Sequence, residues 1–376
     1  VVSLNKLTGW LAEQVEAAGV DVFAGLAGYE LLVENGRVAG IRTVDMGLDK
    51  EGNPKPNFEP GSIIKAKVTV LCEGVHGSLT KQAFAKIPGL RDGVLPESYL
   101  TGVKEVWEVQ PGRIKAGQVI HTVGWPQPSR DYGGGWVYGM SDTKVSVGYA
   151  VGLDSPDPTN DPHHRFQLYK SHKLLRAILE GGQMLHYGAK TIPVGGYYAM
   201  PKLYHEGLLL CGDSAGMLNA SRLKGIHLAM KSGMLAAETL FAALNADDFS
   251  EKRLSAYHDK FQASWAREEL WRSRNFHAGF KGGLWAGLFH AAMQTITGGR
   301  GLFDRREVKP DSANMLTIAD YTARYGKPPA PLELKFDNTY FFDKTTDVYK
   351  SGTSHEEHQP SHLVIADTDI CNNRCT

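Results

Sequence analysis

The apolar residues near the start of the chain recur every three to four positions, a spacing typical of an amphipathic helix. They are Leu4, Leu7, Trp10, Leu11 and Val15. Ser3 is placed to cap this helix, and Gly19 can adopt the left-handed conformation that ends one. The short apolar run from Val20 to Phe23 then predicts a strand.

A hairpin and two buried strands are predicted from the patterns that follow. Asn35-Gly36, a dipeptide preferred in two-residue hairpin turns, separates the strand-like segments 30–34 and 37–43. Two continuous apolar runs, 67–72 and 208–211, each end in a turn that contains glycine, which is typical of strands buried on both faces. A helix over 226–244 is predicted soon after the second run.

Between these two runs the pattern changes to short alternating segments with many aromatic residues. The segments 103–109, 119–125 and 136–151 predict a largely antiparallel sheet, and 163–179 predicts a helix. One buried strand precedes this sheet and the other follows it. The chain is therefore predicted to be a mixed α/β protein whose first domain is interrupted by an inserted antiparallel β-sheet domain.

The composition excludes several classes of protein. The 376 residues suffice for two or three domains, and 41 Lys and Arg residues balance 41 Asp and Glu residues, so no basic footprint for nucleic acid is present. Four cysteines are too few and too unevenly spaced for a disulfide framework. No apolar run reaches the ~18 residues of a membrane-spanning helix, and the first residues lack the pattern of a signal peptide.

The stretch 208–216 carries the strongest chemical signal. A buried strand delivers Asp213 near its carboxyl end, where a carboxylate can accept hydrogen bonds from sugar or ribityl hydroxyl groups. The helix beyond it offers free N–H groups and a positive dipole end, which suit a pyrophosphate or a flavin ring that gains negative charge on reduction. The residues alone leave open the alternative that Asp213 only caps a helix.

Several ordered motifs give the chain a resemblance to one family. Gly-Asp-Ser-Ala-Gly at 212–216, Asn219, and Lys-Gly-x-His-x-Ala-Met-Lys-Ser-Gly at 224–233 resemble the sequence of electron-transfer-flavoprotein:ubiquinone oxidoreductases and FixC-like flavoproteins. Further stretches similar to that family lie at 121–126, 132–134, 180–182 and 351–356. The resemblance therefore runs from Val1 to Thr376.

The resemblance implies a glutathione-reductase-like FAD domain with an inserted antiparallel β-sheet domain that binds a quinone. The FAD-binding residues it implies are Gly212, Asp213, Asn219 and Gly225. It also implies that ubiquinone contacts Gly133 and Gly134, where the residue pattern alone favours a β-bulge.

The implied activity is respiratory electron transfer. Electrons from reduced electron-transfer flavoprotein would pass through a [4Fe-4S] cluster and FAD to ubiquinone, with no catalytic nucleophile or proton-abstracting dyad. The implied location is a bacterial or mitochondrial inner membrane, at which the protein would be peripheral or monotopic. Two alternatives remain open, namely an FAD-dependent monooxygenase or reductase of the same superfamily, and an inactive membrane-associating fragment.

Five segments are predicted along the chain. Residues 1–95 and 201–275 would form the FAD domain, and 96–200 the quinone-binding domain. Residues 276–305 would form a membrane-surface segment, and 306–376 would lead toward an iron–sulfur domain.

Two features of the family are missing from the sequence. No Gly-x-Gly-x-x-Gly occurs, so the part that binds the ADP half of FAD is expected before Val1. A [4Fe-4S] cluster needs four thiolates, and Cys371 and Cys375 precede the family's ligand region, so its ligands are expected outside this chain. Around the flavin, residues 220–221, 226 and 228 also depart from the family pattern.

Three further segments have competing interpretations. The apolar segment 276–303 has the pattern of a buried helix, but the resemblance favours a membrane-surface helix. Glu73-Gly74, at a strand end, is interpreted as structural support rather than as a dinucleotide contact. His355, His358 and His362 lie in a polar segment that contains proline and are assigned to a packed loop rather than to a metal site.

Overall fold

The computed structural model describes residues 3–75, 77–330 and 333–363, together with positions 365, 367 and 369. Its helices and strands form a mixed α/β fold with a separate antiparallel sheet, as the sequence predicts. The strands are β1 (Gly28–Glu34), β2 (Arg37–Thr43), β3 (Met46–Leu48), β4 (Pro54–Glu59), β5 (Ile63–Lys65), β6 (Thr69–Leu71), β7 (Tyr99–Glu108), β8 (Val119–Val123), β9 (Gly133–Gly139), β10 (Lys144–Gly152), β11 (Gln183–Pro193), β12 (Tyr204–His205) and β13 (Leu208–Leu210).

The helices lie mainly before β1, between β10 and β11, and after β13. They are α1 (Leu4–Ala17), α2 (Ser78–Lys86), α3 (Pro162–Lys170), α4 (Lys173–Leu179), α5 (Ile226–Ala246), α6 (Glu251–Gln262), α7 (Trp265–Arg272), α8 (Phe276–Gly279), α9 (Leu284–Ile296), α10 (Ile318–Tyr325) and α11 (Lys344–Tyr349). None of the helices within the described residues is both long and apolar enough to cross a bilayer.

The two buried apolar runs become neighbouring strands. β6 and β13 pair in parallel, with Leu71 opposite Leu210, and β12 completes a three-stranded sheet. They come together across more than a hundred residues of intervening chain, because each presents apolar side chains that need cover on both faces. Helices α2, α5, α6 and α7 supply buried side chains to the same core.

The inserted sheet has five antiparallel strands in the order β11-β7-β10-β9-β8. Its core lies between the sheet and helices α3 and α4, and includes Trp107, Phe166 and Leu179. A third, smaller cluster contains Leu100 and Ala150 of this sheet together with Leu218, which follows β13. This cluster joins the two halves of the molecule.

Several predicted elements are confirmed and four predictions need correction. The Asn35-Gly36 hairpin is present, because Asn35 and Gly36 both adopt positive φ angles. The strand predicted at Val20 to Phe23 is wrong, since this segment pairs with no strand among the described residues and is exposed. The side chain of Ser3 makes no capping hydrogen bond to α1.

The two long segments around the inserted sheet are each divided. Residues 136–151 form most of β9 and β10 rather than one strand, because the turn at 140–143 reverses the chain. The helix predicted over 163–179 breaks between α3 and α4, where His172 leaves the helical conformation and its Nδ1 accepts a hydrogen bond from the Leu174 N–H. Local periodicity could not distinguish one helix from two that share an apolar face.

Candidate functional site

The turn after β13 places Asp213 at the end of the parallel strand pair. The Cys211 N–H donates to the Leu71 carbonyl over 3.1 Å, which extends the pairing of β6 and β13 by one residue. The chain then turns through one 3-10 turn, Gly212–Ala215. Gly212 has a φ of +59°, and a Cβ there would lie 3.2 Å from the Cβ of Ala229 in α5, so this position favours glycine.

The carboxylate of Asp213 has no hydrogen-bond or ion-pair partner within the described part of the chain. Burial raises its pKa, and the charge of Lys190 opposes that rise. A partly buried carboxylate without a protein donor keeps only part of its hydration, which carries a cost in free energy. A hydrogen bond donated by a ligand hydroxyl to Asp213 would remove that cost.

The N-terminus of α5 lies directly beside this carboxylate. Gly225 precedes the helix, and a Cβ at Gly225 would lie 3.2 Å from Asp213 Oδ1. No side chain caps this end of α5. The N–H groups of its first turn therefore remain open to a ligand, and the helix dipole there favours negative charge.

Asn219 shapes the loop between these two groups, and its side chain is already fully engaged. Its Oδ1 accepts from the backbone N–H and the hydroxyl of Ser221 at 3.0 and 2.7 Å, and from the Arg222 N–H. Its Nδ2 donates to Glu269 Oε1 over 2.8 Å. The structure thus brings Gly212, Asp213 and Gly225 together around an opening, while Asn219 holds the loop that borders it.

Glu269 of α7 is a contributor that the sequence patterns missed. Its Oε1 accepts from Asn219 and lies 3.0 Å from His227 Nε2, at the start of α5. The His227 ring stacks on Trp265 with ring centroids 5.8 Å apart. Burial acts to raise the pKa of Glu269, but the bonds from Asn219 and His227 hold it below its usual value. No local signal marks Glu269, because its partners lie more than forty residues away.

Gly133 and Gly134 begin strand β9, at the edge of the cluster that joins the two halves. β9 pairs with both β8 and β10 in unbroken register, so the β-bulge favoured by the residue pattern is wrong. A Cβ on Gly133 would lie 2.8 Å from the carbonyl oxygen of Ala150, and one on Gly134 would lie 2.4 Å from that of Thr122. The glycines are therefore needed for close approach of neighbouring strands.

The turn after β6 supports the fold rather than presenting a free carboxylate. Both oxygens of Glu73 accept hydrogen bonds at the start of α2, from the N–H groups of Leu79 and Thr80 and from the Thr80 hydroxyl. The Ser214 hydroxyl donates to the Gly74 carbonyl over 3.2 Å. These contacts agree with the structural interpretation of this motif and tie it to the Asp213 turn.

The segment after Phe276 forms α8, a 3-10 turn and α9. Gly287 and His290 of α9 face inward, whereas Trp285 is 75% exposed and Phe289 is 60% exposed. A Cβ on Gly124, in the turn after β8, would lie 3.3 Å from the Leu284 side chain, so this turn adjoins the start of α9. One face of α9 therefore remains open, unlike the buried helix that the residue pattern alone favours.

The C-terminal histidines lie in a loop that contacts β4. Lys55 donates to the His358 carbonyl over 2.8 Å and to Glu356 over 2.6 Å, and the His355 and His362 rings lie 5.7 Å apart. Among the described residues, no group of three or more His, Cys, Asp and Glu side chains is arranged to hold a metal ion. Cys371 and Cys375 lie outside the described residues.

Comparison with known proteins gives consistent matches. Residues 99–192 match a family model described as ETF-QO, ubiquinone-binding. Electron transfer flavoprotein-ubiquinone oxidoreductase of Pseudomonas aeruginosa is 40% identical over 375 residues, which cover 98% of this chain and 66% of that protein. A probable enzyme of the same name from Acinetobacter baylyi is 38% identical, with 98% and 67% covered. The human mitochondrial enzyme is 38% identical over an alignment that covers 100% of this chain and 61% of the human protein.

Two solved structures share the fold at low sequence identity. A geranylgeranyl bacteriochlorophyll reductase-like protein from Thermoplasma acidophilum has a TM-score of 0.58 and 17% identity, over 85% of this chain and 72% of that one. The flavin-dependent brominase Bmp2 has a TM-score of 0.54 and 14% identity, over 85% and 75%. The first four curated relatives extend beyond the match, since the chain spans 57 to 66% of their length.

Proposed function

The chain belongs to the electron transfer flavoprotein-ubiquinone oxidoreductase family, and we propose that it forms the flavin- and quinone-binding part of an enzyme that oxidises reduced electron-transfer flavoprotein and reduces ubiquinone. The observation that carries this proposal is the unpartnered Asp213 carboxylate beside the open N-terminus of α5. One hydrophobic cluster connects this site to β9 of the ubiquinone-binding region.

FAD is the cofactor we assign to the site at the end of β13. Asp213 would accept hydrogen bonds from the ribityl hydroxyls, and Gly212 and Gly225 would leave room for the cofactor to approach the backbone. Asn219 would border the flavin through the loop that it holds. Bound there, FAD would supply a centre that takes up and releases electrons one or two at a time.

The residues of the protein hold this cofactor rather than carry out covalent chemistry. The open N–H groups of α5 would stabilise negative charge that develops on the ligand. Glu269 fixes the start of that helix through His227, so the N–H groups are oriented before any ligand binds. We assign no catalytic nucleophile to the flavin site.

Ubiquinone is the substrate we assign to the start of β9. Gly133 and Gly134 adjoin Tyr132, which packs with Phe276 against the cluster that contains Leu218. The aromatic side chains beside these half-buried glycines would give the methyl and isoprenoid groups of a quinone apolar cover. We keep 1–95 and 201–275 as the FAD domain and 96–200 as the quinone-binding domain.

We assign a [4Fe-4S] cluster to the intact enzyme and not to the described residues. The described residues offer no converging group of cysteines, and Cys72 and Cys211 are the two free thiols among them. They do not fit a cluster that needs four thiolates, so we derive no step through it. We place its ligands outside the described residues, and we take 306–376 to lead toward the domain that holds it.

Membrane-surface binding is proposed for residues 276–305, at a bacterial or mitochondrial inner membrane. Trp285, Phe289 and Ile296 project from one open side of the molecule, and Ile296 is 78% exposed. Burial of large apolar side chains in the interface contributes ~1.5–3 kcal/mol each, which suffices for peripheral or monotopic binding when several act together. The occupant of this surface would be lipid from which ubiquinone is drawn.

The flavin assignment is tested by Asp213→Asn in the FAD-loaded protein. Loss of a hydrogen bond to a charged group costs ~1.5–3 kcal/mol, so the dissociation constant of FAD should rise by about 10-fold to 100-fold. FAD retained after gel filtration, and its affinity by fluorescence titration, measure the effect. Asp259→Asn, an exposed aspartate of α6, is the matched control. Equal FAD affinity in the wild type and Asp213→Asn would contradict the assignment.

The membrane assignment is tested by flotation with phosphatidylcholine vesicles. Trp285→Glu combined with Phe289→Glu should reduce the vesicle-bound fraction at least 10-fold. Phe241→Glu is the control, because Phe241 of α5 is also strongly exposed and lies outside the segment. If the double variant floats with vesicles as the wild type does, the membrane-binding surface lies elsewhere.

A further inference from the structure

A buried histidine packs on Tyr132, the residue that precedes the glycine pair of the ubiquinone-binding region. His277 of α8 is only 6% exposed, and its Nε2 lies 3.2 Å from Asp154 Oδ2. Its Nδ1 is also buried and has no hydrogen-bond partner in the described structure. Buried ring nitrogens are normally satisfied, so an open Nδ1 in a polar setting points to a partner that the chain does not supply.

The ring of His277 is held against the residue that precedes the glycine pair. It meets Tyr132 edge-on, with ring centroids 4.9 Å apart. The Tyr132 carbonyl accepts from the Gly152 N–H over 2.9 Å, and Asp154 follows two residues later. Thus the end of β10 and the start of β9 together bring the pair of His277 and Asp154 against Tyr132, the residue before Gly133.

Other charged groups face the histidine from the surrounding elements. Asp154 lies after β10, Glu97 before β7 and Asp311 in a 3-10 turn at 311–313, and Lys281 follows α8. Burial acts to raise the pKa of Asp154, but its hydrogen bond with His277 holds it below the usual value. Asp154 is therefore ionised and able to hold a protonated imidazole.

Glu97 is the neighbouring group that can exchange protons near neutral pH. Burial raises its pKa to about 7, although the N–H groups of Gly195 and Ser98 oppose the rise. Burial likewise raises the pKa of Asp311, and the hydrogen bond that Asp311 accepts from the Tyr99 N–H opposes that rise. The surroundings of His277 therefore contain carboxyl groups that hold protons at a pH where ordinary carboxyls do not.

We propose that His277 is the proton donor to ubiquinone bound at Gly133 and Gly134, with Asp154 as its positioning residue. The inference rests on the proposed function. Conversion of a quinone to a quinol takes up two electrons and two protons. In the proposed function, the electrons come from reduced electron-transfer flavoprotein. In the transfer that we assign to His277, the Nδ1–H bond of the protonated ring breaks and an O–H bond forms on one quinone oxygen. The second proton reaches the other oxygen from water. The neutral imidazole then regains a proton from water.

The test compares His277→Asn, His277→Gln and Asp154→Asn in the FAD-loaded protein. The assay is reduction of a ubiquinone with one isoprene unit by reduced electron-transfer flavoprotein, measured across pH. A positioned general acid contributes about 100-fold or more, so both His277 variants should lose at least that factor in kcat. The pH dependence of the rate should be weaker in the His277 variants than in the wild type, because they carry no proton donor at this position.

Two further measurements separate a proton donor from a structural histidine. Asp154→Asn should keep the KM for the quinone but lower kcat, because the His277 ring loses the carboxylate that orients it. His258→Asn is the matched control, since the Nδ1 of His258 in α6 is likewise buried without a hydrogen-bond partner among the described residues, and it should keep the wild-type profile. Equilibrium binding of the same quinone, followed by fluorescence, checks that each variant is folded and binds.

The possible results distinguish this inference from the proposed function. If the wild type neither binds nor reduces the quinone, the proposed function fails and the inference fails with it. If the wild type is active and a folded His277 variant keeps its rate and pH profile, only the inference is overturned. Loss of rate with retained quinone binding in either His277 variant supports it.

Discussion

The buried ion pair between Lys170 and Glu105 allows a quantitative prediction about the inserted domain. Both side chains are 0% exposed, and Lys170 Nζ lies 2.9 Å from each oxygen of Glu105. Lys170 also donates to the Tyr340 carbonyl over 2.6 Å, and Glu105 accepts from Trp107 Nε1 over 2.6 Å. This network fastens the segment before α11 to the core of the five-stranded sheet.

We expect Lys170→Met to destabilise the protein by ~3–5 kcal/mol, because it leaves the Glu105 carboxylate buried without its cation. Burial already raises the pKa of Glu105, and the charge of Lys170 opposes that rise. Without Lys170, its charge no longer opposes the rise in the pKa of Glu105. The folded state then holds a proton that the unfolded state releases, so the deficit should grow as pH increases.

Thermal denaturation at pH 6 and pH 8 measures this effect, with two companion variants. Lys170→Met combined with Glu105→Gln should recover part of the lost stability, because no charge remains buried. Lys260→Met removes an exposed partner of Glu238 at 2.7 Å and should cost less than ~1 kcal/mol. A deficit for Lys170→Met that is as small as that of Lys260→Met and independent of pH would refute the reasoning.

Three other predictions follow from single contacts. Cys72 is exposed, and a hydrogen bond with its buried neighbour Cys211 lowers the pKa of the Cys72 thiol. Iodoacetamide at neutral pH should therefore label Cys72 before Cys211, as peptide mass spectrometry would show. Gly135→Ala would bring a Cβ to 2.4 Å from a buried tyrosine ring of α3 and should lower the free energy of unfolding by ~1–3 kcal/mol. Gly233→Ala has open space at its Cβ and should stabilise α5 by ~0.5–1 kcal/mol in the same melting assay. Burial raises the folded-state pKa of Glu97 to about 7, so the protein is most stable while that carboxyl is protonated and loses stability as pH rises through 7. Glu97→Gln should therefore be more stable than the wild type at pH 8 by up to ~3 kcal/mol. The variant should show no such loss of stability with pH.

The candidate flavin site was predictable where its residues are consecutive in the chain. The apolar run before Gly212 and the helix after Gly225 are local signals, and they place Asp213 at a strand end beside a helix start. The role of Asn219 was not predictable in this way. Its amide is engaged by Glu269 on a distant helix, and no spacing in the sequence marks that contact.

By itself the sequence determined the elements that depend on neighbouring residues. The positive φ angles at Asn35-Gly36 fix the first hairpin, and the apolar run that forms β13 can be stable only when covered on both faces. Only the tertiary structure decided what depends on a distant partner. Val20 to Phe23 has the residues of a strand but no strand beside it, whereas His277 and Asp154 become a pair because α8 packs against the end of β10. Backbone preferences act over a few residues, but strand pairing, burial and ion pairing depend on which segments the whole fold brings into contact.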